Sequence, residues 1–405
     1  IENLISTAMG GTSFDIGYVG EGQASYALSP DVEGFPCNLP MMSILALGTG
    51  GGSIAYLKDG ELKVGPQSAG ALPGPACFNL GGTQPTVTDA NLVLGVLDPA
   101  FFLGGTMQLD MAKAREVIAR DIAEPLGISV PEAAWRIKSM VDAQMGDAVS
   151  RVADKLPAEA ERVVVAYGGA GGLHACDIAA AAAVKKIIMT PFSAVSSAYS
   201  SSLLDVGHLY YQRIDQPLTQ ELDAAAVQQA IDGLMREAER DMRGEGFASE
   251  MLTSELQLFV CSQAGGSEQL LHAATDFHQQ SGSLAQVIDQ AKAVLAAAGD
   301  NPEQGAQLVS LALMVRAAVP HFVQSERPTE AVEESAAVKS TRPLYVGSTQ
   351  DYVNAPVYDR TKLGPGAQLT GPALVESDQT SILVPENWEL TIDQYDNCIL
   401  EEVRA

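Results

Sequence analysis

Residues 162–190, RVVVAYGGAGGLHACDIAAAAAVKKIIMT, place a β-branched run, a glycine cluster, an alanine-rich stretch and a second apolar run in that order. A strand that turns through glycine into a helix and returns as a second strand is a βαβ unit, whose crossover makes the two strands parallel neighbours. That feature confines the chain to an α/β fold. It also sets the helix's first N–H groups beside Gly168, Gly169, Ala170, Gly171 and Gly172, where a nucleotide can lie.

A second glycine turn stands near the first residue, in ISTAMGGTSFDIGYVGEGQASYALS. Gly10 and Gly11 let the backbone approach an anion, and Thr12 and Ser13 add hydroxyl donors. The same residues also suit an ordinary hairpin turn. Strand-like, glycine-punctuated sequence continues to about residue 65, reading as a meander of hairpins. VGPQSAGALPGPACFNLGGTQPTVTDANLVLG follows, dense in Gly, Pro, Ser and Thr, and reads as a long functional loop with too little periodicity for a helix. Within it, Asp89 and Asn91 either cap a short helix or line a cleft, and Cys77 reads as a small buried filler.

From Pro131 the pattern is helical. Ile137, Val141, Met145, Ala148, Val152 and Leu156 recur at three- and four-residue steps, a core-facing stripe to which no chemistry is assigned. Beyond about residue 205, ELDAAAVQQAIDGLMREAERDMRGEG and SLAQVIDQAKAVLAAAGD read as amphipathic helices, and residues 323–343 as an exposed linker. PLYV, APVYD, PALVES, SILVP, WELTI and NCILEE then read as short strands. The expected division is 1–205 for the glycine-loop domain, 206–342 for a mixed α/β region and 343–405 for a small terminal β domain.

With 24 Lys and Arg against 50 Asp and Glu, the formal net charge is −26, and the summed field repels nucleic acid and anionic lipid. A phosphate ligand must be held locally. The five cysteines are scattered and never fall in CxxC or zinc spacing, which fits a reduced, cytoplasmic setting. No apolar run reaches membrane-spanning length.

Five stretches, in order, carry a resemblance: MGGTSFDIG, GTGGGSIAY, the long PGPAC…PTVTDAN segment, AYGGAGGLHA and GPALVESDQTSILVP. Together they resemble the hydantoinase A / 5-oxoprolinase / acetone carboxylase family. The resemblance implies an actin-like ATPase (ribonuclease H-like) domain, the second half of a two-domain clamp on ATP, followed by a mixed α+β region and a small C-terminal β domain. Gly10, Gly11, Thr12 and Ser13 resemble the family's second phosphate hairpin. Gly168, Gly169, Gly171 and Gly172 resemble its nucleotide-side turn, and His174 matches the histidine of GGAG-x-x-H, placed at the nucleotide mouth with a catalytic role. Asp15 matches an acidic position with catalytic and Mg²⁺ (or Mn²⁺) roles, whereas Ala8 stands where the family usually carries Asp.

The implied cofactors are ATP and Mg²⁺, and the implied chemistry is activation of a carbonyl by phosphorylation. A ketone carboxylase of the acetone or acetophenone type is the leading expectation. An ATP-dependent hydantoinase or 5-oxoprolinase and a non-catalytic scaffold subunit are the alternatives. Expected partners are a hydantoinase B-type subunit, a chain or cleaved segment carrying the DxGGT-type first hairpin, and a small carbonyl substrate.

Overall fold

The computed structural model describes residues 1–27, 31, 32, 34–37, 41–157, 161–218, 222–261, 268–275, 288, 289, 292, 296, 306–329 and 333–403. These divide into two compact units, Ile1–Tyr199 with Gln324–Ala405, and Ser200–Val323.

The first unit is built on a mixed sheet. Strand β1 (Leu4–Met9) pairs antiparallel with β2 (Phe14–Gly20) through the hairpin that carries Gly10 and Gly11. On its other side β1 pairs in parallel with β3 (Val163–Tyr167), and β3 pairs in parallel with β4 (Lys186–Met189). The expected βαβ unit is therefore present, its crossover being helix α3 (Gly171–Ala181). The sheet continues from β4 into Cys398–Glu402, Trp388–Ile392 and Gln368–Thr370, all antiparallel. The terminal strands at 343–405 thus form in the expected places but enter two sheets. The others, Val338–Val346, Asp351–Asp359, Ala373–Glu376 and Ser381–Val384, make a separate four-stranded sheet of the same unit.

Two further helices supply much of this unit's core. Helix α1 (Val87–Val93) runs through the segment expected to be irregular, and all seven of its residues are buried. Periodicity cannot reveal a helix with no exposed face; its start was legible instead in Thr86 and Asp89, which form a reciprocal capping box. Helix α2 (Val130–Ala153) has Ser129 as N-cap and a proline in its first turn, and buries the whole expected stripe from Ile137 to Val152. The linker reading fails in part. Ala337, within it, is 1% exposed in a short 3₁₀ turn, because the chain there is already folding into the sheet that begins at Val338.

The second unit is an antiparallel sheet in the order Val206–Pro217, Gln307–Ala317, Leu252–Cys261, Glu268–Thr275. The amphipathic helix Ala224–Gly244 covers it, burying Val227, Ile231, Leu234, Ala238 and Met242. Most of the helix expected at SLAQVIDQAKAVLAAAGD lies outside the described residues, as does His278.

Candidate functional site

Three glycine turns from distant parts of the sequence meet in the first unit. In the β1–β2 hairpin the Gly10 N–H donates to the Ser13 carbonyl at 3.1 Å. Against this turn packs the loop Gly50–Gly52: Gly51 N–H donates to the Gly10 carbonyl at 3.0 Å and Gly52 N–H to the Gly11 carbonyl at 2.6 Å. The Ala170 N–H, at the start of α3, donates to the Met9 carbonyl at 3.2 Å, which locks the third turn to the first.

A cavity of about 310 Å³ opens where they meet. Gly10, Gly11, Gly51, Gly169 and Ala170 form one side; Phe78, Phe101, Phe102 and Leu173 give it an apolar wall. The turn Ser377–Thr380 also lines it, next to the third glycine turn: Thr380 Oγ1 donates to the Gly169 carbonyl at 3.4 Å. Buried Glu376 also lines it, its carboxylate paired with Lys339 at 2.6 Å and Arg342 at 2.7 Å; Arg342 pairs at 2.8 Å with Asp98 as well, and Asp378 adds a third carboxylate to the lining.

The expected site residues separate into three groups. Gly10, Gly11 and Gly169 line the cavity, and around each of them nothing stands within 4 Å of where a side chain would begin. Gly168 and Gly172 serve packing instead. A Cβ on Gly168, whose φ is +90°, would sit 2.3 Å from the Met9 carbonyl oxygen, and one on Gly172 would sit 2.5 Å from that of Ser381. Thr12, Ser13, Asp15 and Gly171 are not among the lining residues; Ser13 Oγ donates to Asp15 Oδ2 at 3.3 Å.

His174 is corrected in position. It is fully buried on α3, behind the cavity wall and outside its lining, because the first turn of α3 directs it toward α2. Its Nδ1 lies 2.5 Å from Asp142 Oδ1 and its Nε2 lies 2.9 Å from Asn91 Nδ2. Asp142 Oδ2 in turn accepts from Lys138 Nζ at 2.6 Å, and Lys138 also donates to Asp177 at 2.6 Å. Burial opposes both charges of the Lys138–Asp142 pair. Mutual attraction, with Asp177 and His174 adding to it, prevails: the Asp142 carboxyl is held below its ordinary range and the Lys138 ammonium above its own. The helix assigned no chemistry therefore carries a buried ion pair, one residue along from Ile137 and Val141 at the same four-residue spacing.

Asn91 takes the second of its two sequence readings. It lines the cavity, while the capping role falls to Thr86 and Asp89. Asp89 further accepts from the backbone N–H groups of Ala76 and Cys77, so its carboxylate ties the PGPAC loop to α1. Cys77 is buried, and burial beside Asp89 pushes its thiol well above the ordinary value, as suits a filler. Outside this region His208 pairs with Glu245 and His321 with Asp205, each at 2.8 Å.

Residues 1–209 match the hydantoinase/oxoprolinase family and residues 217–403 match the hydantoinase/oxoprolinase C-terminal domain. The chain belongs to the hydantoinase/oxoprolinase family. It is 34% identical to the acetophenone carboxylase gamma subunit of Aromatoleum aromaticum, over 99% of this chain and 57% of that one. Among solved structures, the ATP-dependent caprolactamase of Pseudomonas jessenii superposes with a TM-score of 0.85 at 30% identity, covering all of this chain and 59% of that one. A nucleotide-free structure of acetone carboxylase gives 0.82 at 26%, over 99% and 58% respectively. The fold of this hydantoinase/oxoprolinase family member is the actin-like α/β ATPase fold with a C-terminal β region. The chain spans somewhat under two thirds of the length of these relatives. Among its described residues no helix is long and apolar enough to cross a membrane.

As for a metal, no group of three or more His, Cys, Asp or Glu side chains is poised to hold one among the described residues. Asp15 is a lone carboxylate whose partner across the hairpin is Ala8. The described residues do not by themselves fit a resident metal ion. Ala8→Asp sets two carboxylates directly opposite each other on β1 and β2. Without a cation this is expected to cost roughly 0.5–1 kcal/mol, and millimolar Mg²⁺ is expected to restore the loss. Thermal melting in EDTA and in Mg²⁺ reads both effects; equal melting in the two would show that the pair binds no cation.

Proposed function

We propose that this chain is a subunit of an ATP-dependent multi-subunit enzyme that activates a carbonyl substrate by phosphorylating its oxygen. The observation that carries this reading is the convergence of the open glycines Gly10, Gly11 and Gly169 on one cavity, beside the N-terminus of α3. Backbone at Gly10 and Gly11 would approach a phosphate group, and the first N–H groups of α3 would favour its charge. ATP would supply the phosphoryl group that turns a poorly reactive carbonyl oxygen into a leaving group. The chain's own part is to hold that group, exclude water with Phe78, Phe101 and Phe102, and present the cavity to the reacting partner.

Ketone carboxylation is the leading activity, on the likeness to the acetophenone carboxylase gamma subunit. Cyclic amide hydrolysis is the second reading, favoured by the structural likeness to caprolactamase. In both, Asp15 would be the carboxylate of the β1–β2 hairpin available to a Mg²⁺ or Mn²⁺ ion, and His174 would act through Asn91. The partners are a hydantoinase B-type subunit and a DxGGT-type first hairpin supplied from outside residues 1–405.

Half a clamp grips a nucleotide poorly. The polypeptide of residues 1–405 alone is expected to bind MgATP more weakly than 1 mM, about −4 kcal/mol or less in magnitude. The enzyme assembled with both partners is expected to hydrolyse ATP only when a carbonyl substrate is present. Isothermal titration and a coupled ATPase assay measure these; micromolar binding by the lone chain, or no substrate-dependent turnover by the assembly, would overturn the reading.

A further inference from the structure

A second cavity of the first unit, of about 380 Å³, is lined by both α2 and α3 and shares no lining residue with the glycine-walled one. Half-buried Trp135, Val346, Pro372 and Pro385 give it apolar walls. The indole of Trp135 packs where only glycine leaves room: a Cβ on Gly347 would stand 2.2 Å from Trp135 Nε1. The polar part of the lining is acid-rich. Asp142, Asp177 and Glu386 stand against one ammonium, Lys138, which is committed to Asp142 and Asp177 at 2.6 Å each. Asp142 is buried, but the Asp177 side chain is 42% exposed and Glu386 is exposed as well. Each of these two spends one oxygen within the protein, Asp177 Oδ2 on Lys138 and Glu386 Oε2 on the Ser348 hydroxyl at 2.9 Å. Their other oxygens, Asp177 Oδ1 and Glu386 Oε1, have no hydrogen-bond partner among the described residues.

This lining selects by charge and by shape. Its excess of carboxylates opposes a phosphate or carboxylate ligand. Among the described residues no group of three His, Cys, Asp or Glu side chains is poised to take a bare metal ion. A cation on an apolar stem meets both demands, with its charge at the accessible carboxylates and its stem along the proline and valine walls, where the indole adds an attraction of its own. We propose that this cavity is a binding site for an organic cation, an ammonium or guanidinium carried on an apolar stem. Two sources share that chemistry: a free amine, and a lysine or arginine side chain of a partner subunit.

The test titrates the polypeptide of residues 1–405 with n-hexylammonium, hexan-1-ol and hexanoate, which match in length and differ in charge. Tryptophan fluorescence reports binding, because Trp135 lines the cavity whereas Trp388 is 1% exposed and lies outside its lining. The ammonium is expected to bind about tenfold more tightly than the alcohol, hexanoate more weakly than either, and the gap to narrow as salt rises. Asp177→Asn combined with Glu386→Gln is expected to bring the preference below about twofold. Asp177 also holds Lys138, so Glu386→Gln alone supplies a second reading from an exposed residue, with an expected loss of roughly threefold in ammonium affinity. Equal binding of ammonium and alcohol, or a preference unchanged in both variants, overturns the proposal. The same titration on the assembled enzyme separates the sources: retained binding assigns a free amine, and binding lost on assembly assigns a partner's basic side chain. Only this last arm rests on the proposed assembly. The cation preference of the polypeptide is read without ATP turnover, so either reading can fail while the other stands.

Discussion

Lys138→Met is expected to lower the stability of the first unit by about 3–5 kcal/mol, because it leaves the buried Asp142 carboxylate without its ammonium partner. Lys138 is 5% and Asp142 4% exposed. Both tryptophans, Trp135 and Trp388, belong to the first unit, so their fluorescence during urea denaturation reports that unit alone. The loss depends on pH in a defined direction. In the wild type the depressed Asp142 contributes stability that is full above the unfolded carboxyl value of about 4 and fades as pH falls through the lower folded value. The raised Lys138 contributes below its unfolded value of about 10.4 and fades as pH climbs through the higher folded one. In the variant, burial pushes Asp142 upward, so acid stabilises it by neutralising the charge. The gap between wild type and variant is therefore widest from about pH 5 to 9 and narrows below. Lys138→Met combined with Asp142→Asn is expected to regain at least about 2 kcal/mol, since the amide still accepts from His174. Equal stability of wild type and the single variant at pH 7 would show that the pair is not buried as described.

Neighbouring glycines in the third turn should fail in opposite ways. Gly168→Val forces a β-branched side chain into φ +90° and into the Met9 carbonyl, and is expected to cost at least about 3 kcal/mol. Gly169→Val meets open space and is expected to stay within about 0.5 kcal/mol of wild type. In the assembled enzyme the Gly169 variant is expected to lose at least tenfold in ATP turnover, because its side chain occupies the cavity wall. Melting curves and turnover on both variants separate the effects. Full turnover in Gly169→Val would mean that this turn does not face the nucleotide and would favour a scaffold subunit.

The sequence showed its glycine turns, its βαβ unit and its terminal strands because each is written in contiguous residues. The core stripe of α2 was equally plain, since Ile137, Val141 and Met145 repeat at helical spacing. Lys138 and Asp142 were hidden by the same pattern: a charge beside an apolar stripe reads as a solvated flank until a second helix, here α3, closes over it. Helix α1 escaped because burial on all sides erases the polar half of the period. His174 was found by motif and misplaced by it. A motif fixes neighbours along the chain, whereas its depth behind the cavity depends on Asp142, thirty-two residues earlier. Asn91 could be narrowed only to two roles, and the choice between them needed the position of His174.

The turn Ser377–Thr380, which lines the cavity beside Gly169, follows Gly10 and Gly11 by more than 360 residues. At roughly 5–20 residues per second, Gly11 waits on the order of 20–75 s before Ser381 is synthesised. Cys398–Glu402, which pairs with β4 in the main sheet, comes later still. Until then the cavity lacks the part of its lining that Ser377–Ser381 supplies. Order of synthesis thus makes the cavity a late product of translation: no polypeptide that stops before Ser377 carries its full lining.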